Sequence, residues 1–297
     1  MTEKGKVGIL VVTFNRLNDL KICISSIKNQ TYKNYDIVIV NNGSTDGTLE
    51  YLNSVEGITP IHQENVGGAG GFYTGMKYVY EHGYDWLLML DDDGVMSETE
   101  LENLLFSYDE IKAQEGKDMI LNALVVNKEK RDEISFLWAR GSSRSKLVSE
   151  LQQEKYFNDI HPFNGTLVKR SIIEKIGFIK KEMFIWGDEE EYMARARHNG
   201  FGTCTVTNAI HYHPKEKGVR GYLIPFCKKY FIVVKPVKFS HNFYRNRGFI
   251  YGHYPERKGN IFPFMSANIF YNITHLRFRE CWKFIKYFRR GLHNNYN

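Results

Sequence analysis

Cysteine is scarce in this 297-residue chain: four, at Cys23, Cys204, Cys227 and Cys281, with no C-x-x-C pair. That scatter argues against a zinc cage or a disulfide framework and is compatible with a reducing cytoplasm. No apolar run approaches the roughly 20 residues that a membrane-spanning helix requires, and there is no internal repeat or low-complexity tract. Met1–Lys6 is polar and leads straight into an apolar segment, so no secretory signal is expected. A dinucleotide-binding G-x-G-x-x-G is also missing. Gly67, Gly68, Gly70 and Gly71 follow the third strand candidate rather than the first, with no acid at the required distance downstream. What remains is an ordinary composition, 42% hydrophobic and 25% charged, long enough for one large α/β domain with an appendage or for two smaller domains.

The net charge of +6 conceals a division. Residues 1–214 hold 23 Lys and Arg against 31 Asp and Glu, whereas residues 215–297 hold 17 against 3 and carry 20 of the 43 aromatic residues. An acidic front and a basic, aromatic tail imply two different partners, and we place the boundary at His213-Pro214.

Val7–Thr13, Asp36–Val40, Thr59–His62 and Tyr84–Leu90 read as strands. They alternate with helices expected at Leu17–Asn29, Thr48–Asn53, Gly67–His82 and from the capping-box pattern Ser97-Glu98-Thr99-Glu100 to Glu115. This alternation predicts a mostly parallel sheet with right-handed crossovers. Phe163–Lys169, Thr203–Thr207 and Ala209–Tyr212 are further strand candidates. Ser171–Ile176 and a segment running to Asn199 read as helices, and residues 127–158 as a variable loop over the sheet.

The strongest chemical signal is Trp86-Leu87-Leu88-Met89-Leu90-Asp91-Asp92-Asp93-Gly94. Three adjacent carboxylates after a buried strand need compensation. At the carboxyl edge of an open sheet, a hard divalent cation supplies it and in turn holds phosphate oxygens. Alternate residues of an extended segment point the same way, so Asp91 and Asp93 converge while Asp92 points away. The bland alternative is a solvated acidic turn. A second acidic run, Asp188-Glu189-Glu190-Glu191, opens a helix, where acids are also favourable for the dipole alone; mutual repulsion raises the pKa values within such a run, which suits a general base.

Taken in order, Thr13-Phe14-Asn15-Arg16, the turn Asn41–Gly47, the triple Asp and Asp188–Glu191 resemble the family 2 glycosyltransferases, inverting enzymes of GT-A fold. Asn65-Val66-Gly67-Gly68-Ala69-Gly70-Gly71-Phe72 narrows the resemblance to the galactofuranosyl- and rhamnosyltransferase-like branch. It covers about Val7 to Pro214, with a nucleotide-sugar half to about residue 115 and an acceptor half from 116 to 214. The resemblance implies a nucleotide-diphospho-sugar donor held by Thr13, Asn15, Arg16, Asn41, Asn42, Asn65, Gly67, Gly68, Gly70, Asp91 and Asp92. It implies Mn2+ or Mg2+ on Asp91, Asp93 and a histidine, His213 in preference to His211. Asn41 stands where the family often has an acid that reads uracil, a departure that weakens the inference of uridine. Aligning Trp186-Gly187-Asp188-Glu189-x-Glu191 with the family's W-x-D-D-x-E pattern puts the base at Glu189, a Glu where Asp is usual, with Asp188 second. Asn164, Trp186 and Glu191 fall on the acceptor side. The triple Asp leans toward galactofuranose from a uridine diphosphate donor over rhamnose from a deoxythymidine diphosphate donor.

In the tail, Ile269, Ile273, Leu276, Trp282, Ile285 and Phe288 lie at roughly helical spacing among Arg277, Arg279, Lys283, Lys286, Arg289 and Arg290. This suits an amphipathic helix on an anionic membrane surface better than a nucleic acid, although a helical pair packed on the catalytic domain is the structural alternative. The expectation is a cytoplasmic enzyme, peripheral at the inner face of the plasma membrane, acting on a lipid-linked or polysaccharide acceptor and open to oligomerisation. Two other classes are weighed: a sugar-nucleotide nucleotidyltransferase, disfavoured by the lack of a glycine-rich, lysine-bearing N-terminal loop, and a non-catalytic membrane or nucleic-acid adaptor built on the tail alone.

Overall fold

The computed structural model describes residues 4–136, 147–151, 154–158, 160–161, 163–215, 219–222, 230–259 and 261–296. In chain order the elements are β1 (Val7–Thr13), α1 (Leu17–Lys28), β2 (Tyr35–Asn41), α2 (Thr48–Ser54), β3 (Thr59–His62), α3 (Gly67–Glu81), β4 (Trp86–Asp91), β5 (Val95–Met96), α4 (Glu100–Glu115) and β6 (Met119–Asn127). There follow β7 (Lys155–Phe157), β8 (Thr166–Lys169), α5 (Arg170–Ile176), α6 (Asp188–His198) and β9 (Gly202–His213). The tail holds β10 (Val219–Tyr222), β11 (Tyr230–Val233), α7 (Ser240–His253), α8 (Pro255–Lys258), α9 (Ile261–Thr274) and α10 (Phe278–Leu292).

The main sheet runs β3-β2-β1-β4-β8-β6-β9-β5, with β7 on β9. Its first four strands are parallel, as are β6 and β9, while β8 enters antiparallel between β4 and β6. The longer ladders are thus parallel and the short inserted strands antiparallel, so the architecture is a mixed α/β sheet flanked by helices. β4 explains itself physically: Leu87, Leu88, Met89 and Leu90 are fully buried between two layers, each contributing roughly 2 kcal/mol of transfer free energy. The strand stops where the carboxylates begin. The first helices follow the expected spans within a residue or so, but α4 starts only at Glu100, with Thr99 rather than Ser97 as its cap.

Two differences from the sequence reading matter for the site. Met119–Asn127, not anticipated as a strand, is the fully buried β6. The two strand candidates after residue 202 are one strand, β9. Ala123 pairs with Val206 and Leu124 with Ile210, so Thr207–Ala209 bulge out and the strand is re-aimed toward β4. Of the predicted loop at 127–158, residues 137–146 and 152–153 lie outside the described residues, as does Cys227; the other three cysteines are buried free thiols.

The tail packs onto the catalytic layer. Phe249 and Ile250 of α7, with Tyr254, join the same apolar cluster as Met76 of α3 and Tyr192 and Met193 of α6. Phe243, Tyr244, Phe264, Phe284 and Phe288 form a second, aromatic cluster among α7, α9 and α10. The apolar residues read as one amphipathic face therefore divide. Phe288 is buried and Ile269 and Ile285 are partly buried, while Ile273, Leu276 and Trp282 stay exposed, joined by Phe262 and Phe278. Among the described residues no helix is long and apolar enough to cross a membrane.

Candidate active site

The carboxyl ends of β1, β2, β4 and β9 converge on one edge of the sheet. Asp92, buried, accepts a hydrogen bond from Thr13 Oγ1 at 2.8 Å and a longer one from the Phe14 amide, tying β4 to the end of β1. Arg16 bridges Asp92, at 3.1 Å from Oδ1, and Asp93. Asp91 and Asp93 fall on the other side with His213, their ligand atoms all within 4.8 Å of one another.

These carboxyls differ electrostatically because their partners differ. Burial raises Asp91 to about 7, offset in part by His213, and raises Asp92 to about 6, offset in part by Arg16. Burial pushes Asp93 the same way, but a hydrogen bond and charge from His213, with Arg16 behind, bring it down to about 2. His213 Nε2 lies 3.2 Å from Asp93 Oδ1, and Nδ1 lies 2.7 Å from the Pro214 carbonyl. With Nδ1–H held by a backbone carbonyl, Nε2 is the ring atom aimed at the carboxylates, the arrangement by which metal-ligating histidines are oriented. Two carboxylates and an imidazole so disposed fit a divalent cation such as Mn2+ or Mg2+.

His211 is elsewhere. It is wholly buried behind the triple Asp turn, Nδ1 3.2 Å from both oxygens of an equally buried Glu100. Gly94 lies against its ring, where a Cβ would overlap Nε2. Sequence reasoning gave no sign of this pair, since its members lie 111 residues apart.

On the donor side the amides are engaged in building the loops. Asn15, with left-handed φ, accepts from the Thr45 amide at 2.7 Å, and its own amide donates to Ser44. Asn41 Oδ1 accepts from the Ser44 amide, and its Nδ2 lies 3.3 Å from His62 Nδ1. Asn42 donates to Gly67 O and Asn65 Oδ1 and accepts from Gln63 and Val66, so it fixes the turn that opens α3. Asn65 also accepts from the Gly67 amide. Gly67 has φ +79°, and a Cβ there would overlap the Phe184 carbonyl, so the position requires glycine. Gly68 faces open space, while Gly70 packs on Val66.

On the acceptor side α6 begins at Asp188, preceded by three residues with positive φ: Phe184, Trp186 and Gly187. Asp188 is buried, and its carboxyl is held well above the usual range by burial, by the neighbouring Glu189 with which it shares a hydrogen bond, and by Asp91. Glu189, half-buried, accepts from the Gly187 amide at 2.9 Å. Trp186 is half-buried, edge-on to Phe239, with Lys235 over its ring. Asn164 is buried in the loop before β8, where the Gly165 amide bonds Met89 O of β4. Glu191 differs from its expected place: both oxygens are committed to Arg195, at 3.1 and 2.8 Å, and to the Tyr254 hydroxyl, turned into the core. Glu190 pairs with Arg247 of α7. Lys128 and a half-buried His161 also come up beside the Asp93–His213 pair, with the His161 ring lowered to about 4 by desolvation and by His213.

Residues 8–177, more than half of the chain, match the family described as Glycosyl transferase family 2. The chain belongs to that family. Similar curated proteins include galactofuranosyltransferase GlfT1 of Mycobacterium tuberculosis (strain H37Rv), 28% identical over 304 residues, covering 98% of this chain and 96% of the relative. The GlfT1 of Mycolicibacterium smegmatis is 28% identical over 222 residues, covering 71% of this chain and 72% of that one. Among solved structures, the chain of S. aureus TarS superposes with a TM-score of 0.53 at 13% identity, over 82% of this chain but only 39% of the TarS chain. That likeness establishes the GT-A fold, which the sheet order and the strand-end carboxylates share. This family 2 glycosyltransferase is therefore an enzyme.

Proposed function

We propose that this glycosyltransferase moves galactofuranose from its uridine diphosphate donor to a growing, lipid-linked glycan acceptor by a single inverting displacement assisted by Mn2+ or Mg2+. The observation that carries this reading is the meeting of Asp91, Asp93 and His213 at one edge of the sheet, electrostatically close to Asp188 and Glu189. The full-length similarity to the mycobacterial galactofuranosyltransferases supports the donor sugar.

Asp91, Asp93 and His213 would hold the cation, which when bound neutralises the diphosphate leaving group. Arg16, at the mouth of the site, exchanges its carboxylate partners for phosphate oxygens. Asp92 keeps β1 and β4 in register through Thr13. The open backbone at Gly68 admits the donor closely. Glu189 takes the proton from the acceptor hydroxyl, with Asp188 holding a shared proton beside it, and Trp186 provides a face for the acceptor sugar.

The test is turnover with UDP-galactofuranose and dTDP-rhamnose, with Mn2+ and a lipid-linked acceptor. Transfer from the first, abolished by a chelator and by Asp93→Ala, supports the reading. Transfer from the second alone moves the enzyme to rhamnose, and transfer indifferent to chelator removes the metal.

The exposed Phe262, Leu276, Phe278 and Trp282, set among Arg277, Arg279 and Lys286, form the basic aromatic face that would rest on an anionic membrane and bring a lipid-linked acceptor to the site.

A further inference from the structure

The first turn of α6 and the segment before it are held by α7, from beyond the boundary at His213-Pro214. Asn246 of α7 is fully buried, and the two hydrogens of its Nδ2 serve three carbonyls, Met183 at 2.9 Å, Trp186 at 2.9 Å and, through a shared hydrogen, Ile185 at 3.2 Å. The neighbouring Arg245 donates to Glu182 O at 3.0 Å and Met183 O at 3.5 Å. Arg247, on the same helix, pairs with Glu190. One turn of a C-terminal helix thus grips four backbone carbonyls and a side chain of α6.

The gripped segment does not hold itself. Phe184 has φ 64° and ψ −60°, with the Ile185 amide bonded back to Met183 O at 2.7 Å, a γ-turn of the rare, strained hand. Trp186 follows at φ 61° and Gly187 at φ 108°. Two non-glycine residues in the left-handed region within three positions persist only where surrounding structure over-determines them, and Asn246 bonds the carbonyls on both sides of the γ-turn. Gly187 itself lies against the Asn246 Cβ at 3.2 Å from where its own Cβ would stand. At the turn's tip the Phe184 carbonyl accepts from the Ala69 amide at 3.1 Å. The segment therefore touches the glycine turn of α3 on one side and opens directly into Asp188 and Glu189 on the other.

We infer that Asn246, with Arg245, is a positioning residue for transfer: it latches residues 183–187 so that the carboxylates opening α6 are set against the donor loop at Gly67–Ala69. Asn246 lies beyond the boundary at His213-Pro214, so the C-terminal region completes the active site rather than serving only as an anchor. The inference rests on the base assigned above to Glu189 or Asp188.

Asn246→Asp keeps the side chain's shape and removes its donors. In the full-length chain with UDP-galactofuranose, Mn2+ and acceptor, kcat is expected to fall about 100-fold, the scale of a misplacement near 1 Å. The donor dissociation constant should stay within threefold, and amide hydrogen exchange across residues 184–187 and at Ala69 should accelerate. Arg245→Lys, a milder variant, should lower kcat several-fold with the same exchange signature at smaller amplitude. A lowered Tm with kcat unchanged well below it would make Asn246 structural only and overturn the inference, as would faster exchange without loss of turnover. Should Glu189→Gln and Asp188→Asn both retain full turnover while Asn246→Asp loses it, the base assignment falls and the latch stands.

Discussion

Both ring nitrogens of His213 face oxygen: Nδ1 lies 2.7 Å from the Pro214 carbonyl and Nε2 3.2 Å from Asp93 Oδ1. With Nδ1–H donating to the carbonyl, Nε2 is the ring atom aimed at the carboxylate, and a cation would sit between the two. His213→Ala is therefore expected to weaken Mn2+ binding at least tenfold, on the scale found for perturbed metal sites. Asp93→Asn should weaken it further. Calorimetric titration of the free protein reads both, without any requirement for turnover.

Arg16 competes for the same carboxylate, since it pairs with Asp93 and Asp92. Arg16→Gln should tighten binding of Mn2+ alone, because the ion no longer displaces a guanidinium. The same change should weaken uridine diphosphate binding by about 1–2 kcal/mol through the lost charge-assisted bond. Metal titrations with and without nucleotide measure the two opposed effects; a change of the same sign in both would refute the exchange of partners.

Asp188 and Glu189 divide their roles by environment. The buried Asp188 carboxyl is raised well above its ordinary range by burial and by Glu189, so burial favours its neutral form. Glu189→Gln should lower kcat by about 10²–10⁴-fold, whereas Asp188→Asn, replacing one neutral group with another, should cost under about tenfold. The pH dependence of stability has a definite sign. A folded pKa above the unfolded value of 3.8 contributes stability below pH 3.8 that is lost as pH rises through the folded pKa. In metal-free buffer, Asp188→Asn should therefore raise Tm more at pH 8 than at pH 4. An equal effect at both would mean that Asp188 is not held protonated.

The sequence displayed the scaffold wherever chemistry was local. β4 and its carboxylates, the turn after β2 and the glycine start of α3 all lie in continuous runs whose period and turn residues speak for themselves. β6 escaped because Met119–Asn127 contains Asn122 at its centre. That amide looks like a turn former and proves to be buried, accepting from Thr166 at 2.6 Å and donating to backbone carbonyls. Glu191 was misplaced because an acid in a helix's first turn has the same sequence whether it faces the site or, as here, Arg195 and Tyr254. Nothing in the sequence marks Asn246, since its partners are backbone carbonyls 60 to 63 residues away, which carry no sequence signature.

Glu100 and His211 illustrate the same limit and yield a stability prediction. Both are wholly buried, bonded to each other, and wedged behind the carboxylate turn by contact with Gly94. Removing one partner leaves a buried polar group uncompensated, so Glu100→Ala should cost roughly 3 kcal/mol. Urea unfolding should show a lower midpoint at unchanged slope. Gly94→Ala, which drives a methyl into the imidazole, should instead disturb Asp93 directly and weaken Mn2+ binding as well as stability. If it leaves metal affinity intact, the pair supports the core but not the turn.

The tail's exposed face offers the last measurement. Trp282 is 64% exposed and Leu276 77% exposed, and Trp282 is followed one turn later by Lys286, whose Nζ lies 4.9 Å from the indole. None of these side chains belongs to the aromatic cluster that holds Phe284 and Phe288. Trp282→Ala combined with Lys286→Glu should therefore leave Tm nearly unchanged, as surface substitutions do. The pair of changes should weaken co-sedimentation with anionic vesicles at least tenfold, given about 1 kcal/mol per basic residue near such a surface and the apolar area of the indole. Binding of the unmodified protein should fall as salt rises, because the attraction to the headgroups is screened. Equal binding to neutral and anionic vesicles would contradict the electrostatic half of this surface. A fall in Tm without a fall in vesicle binding would instead assign Trp282 to packing.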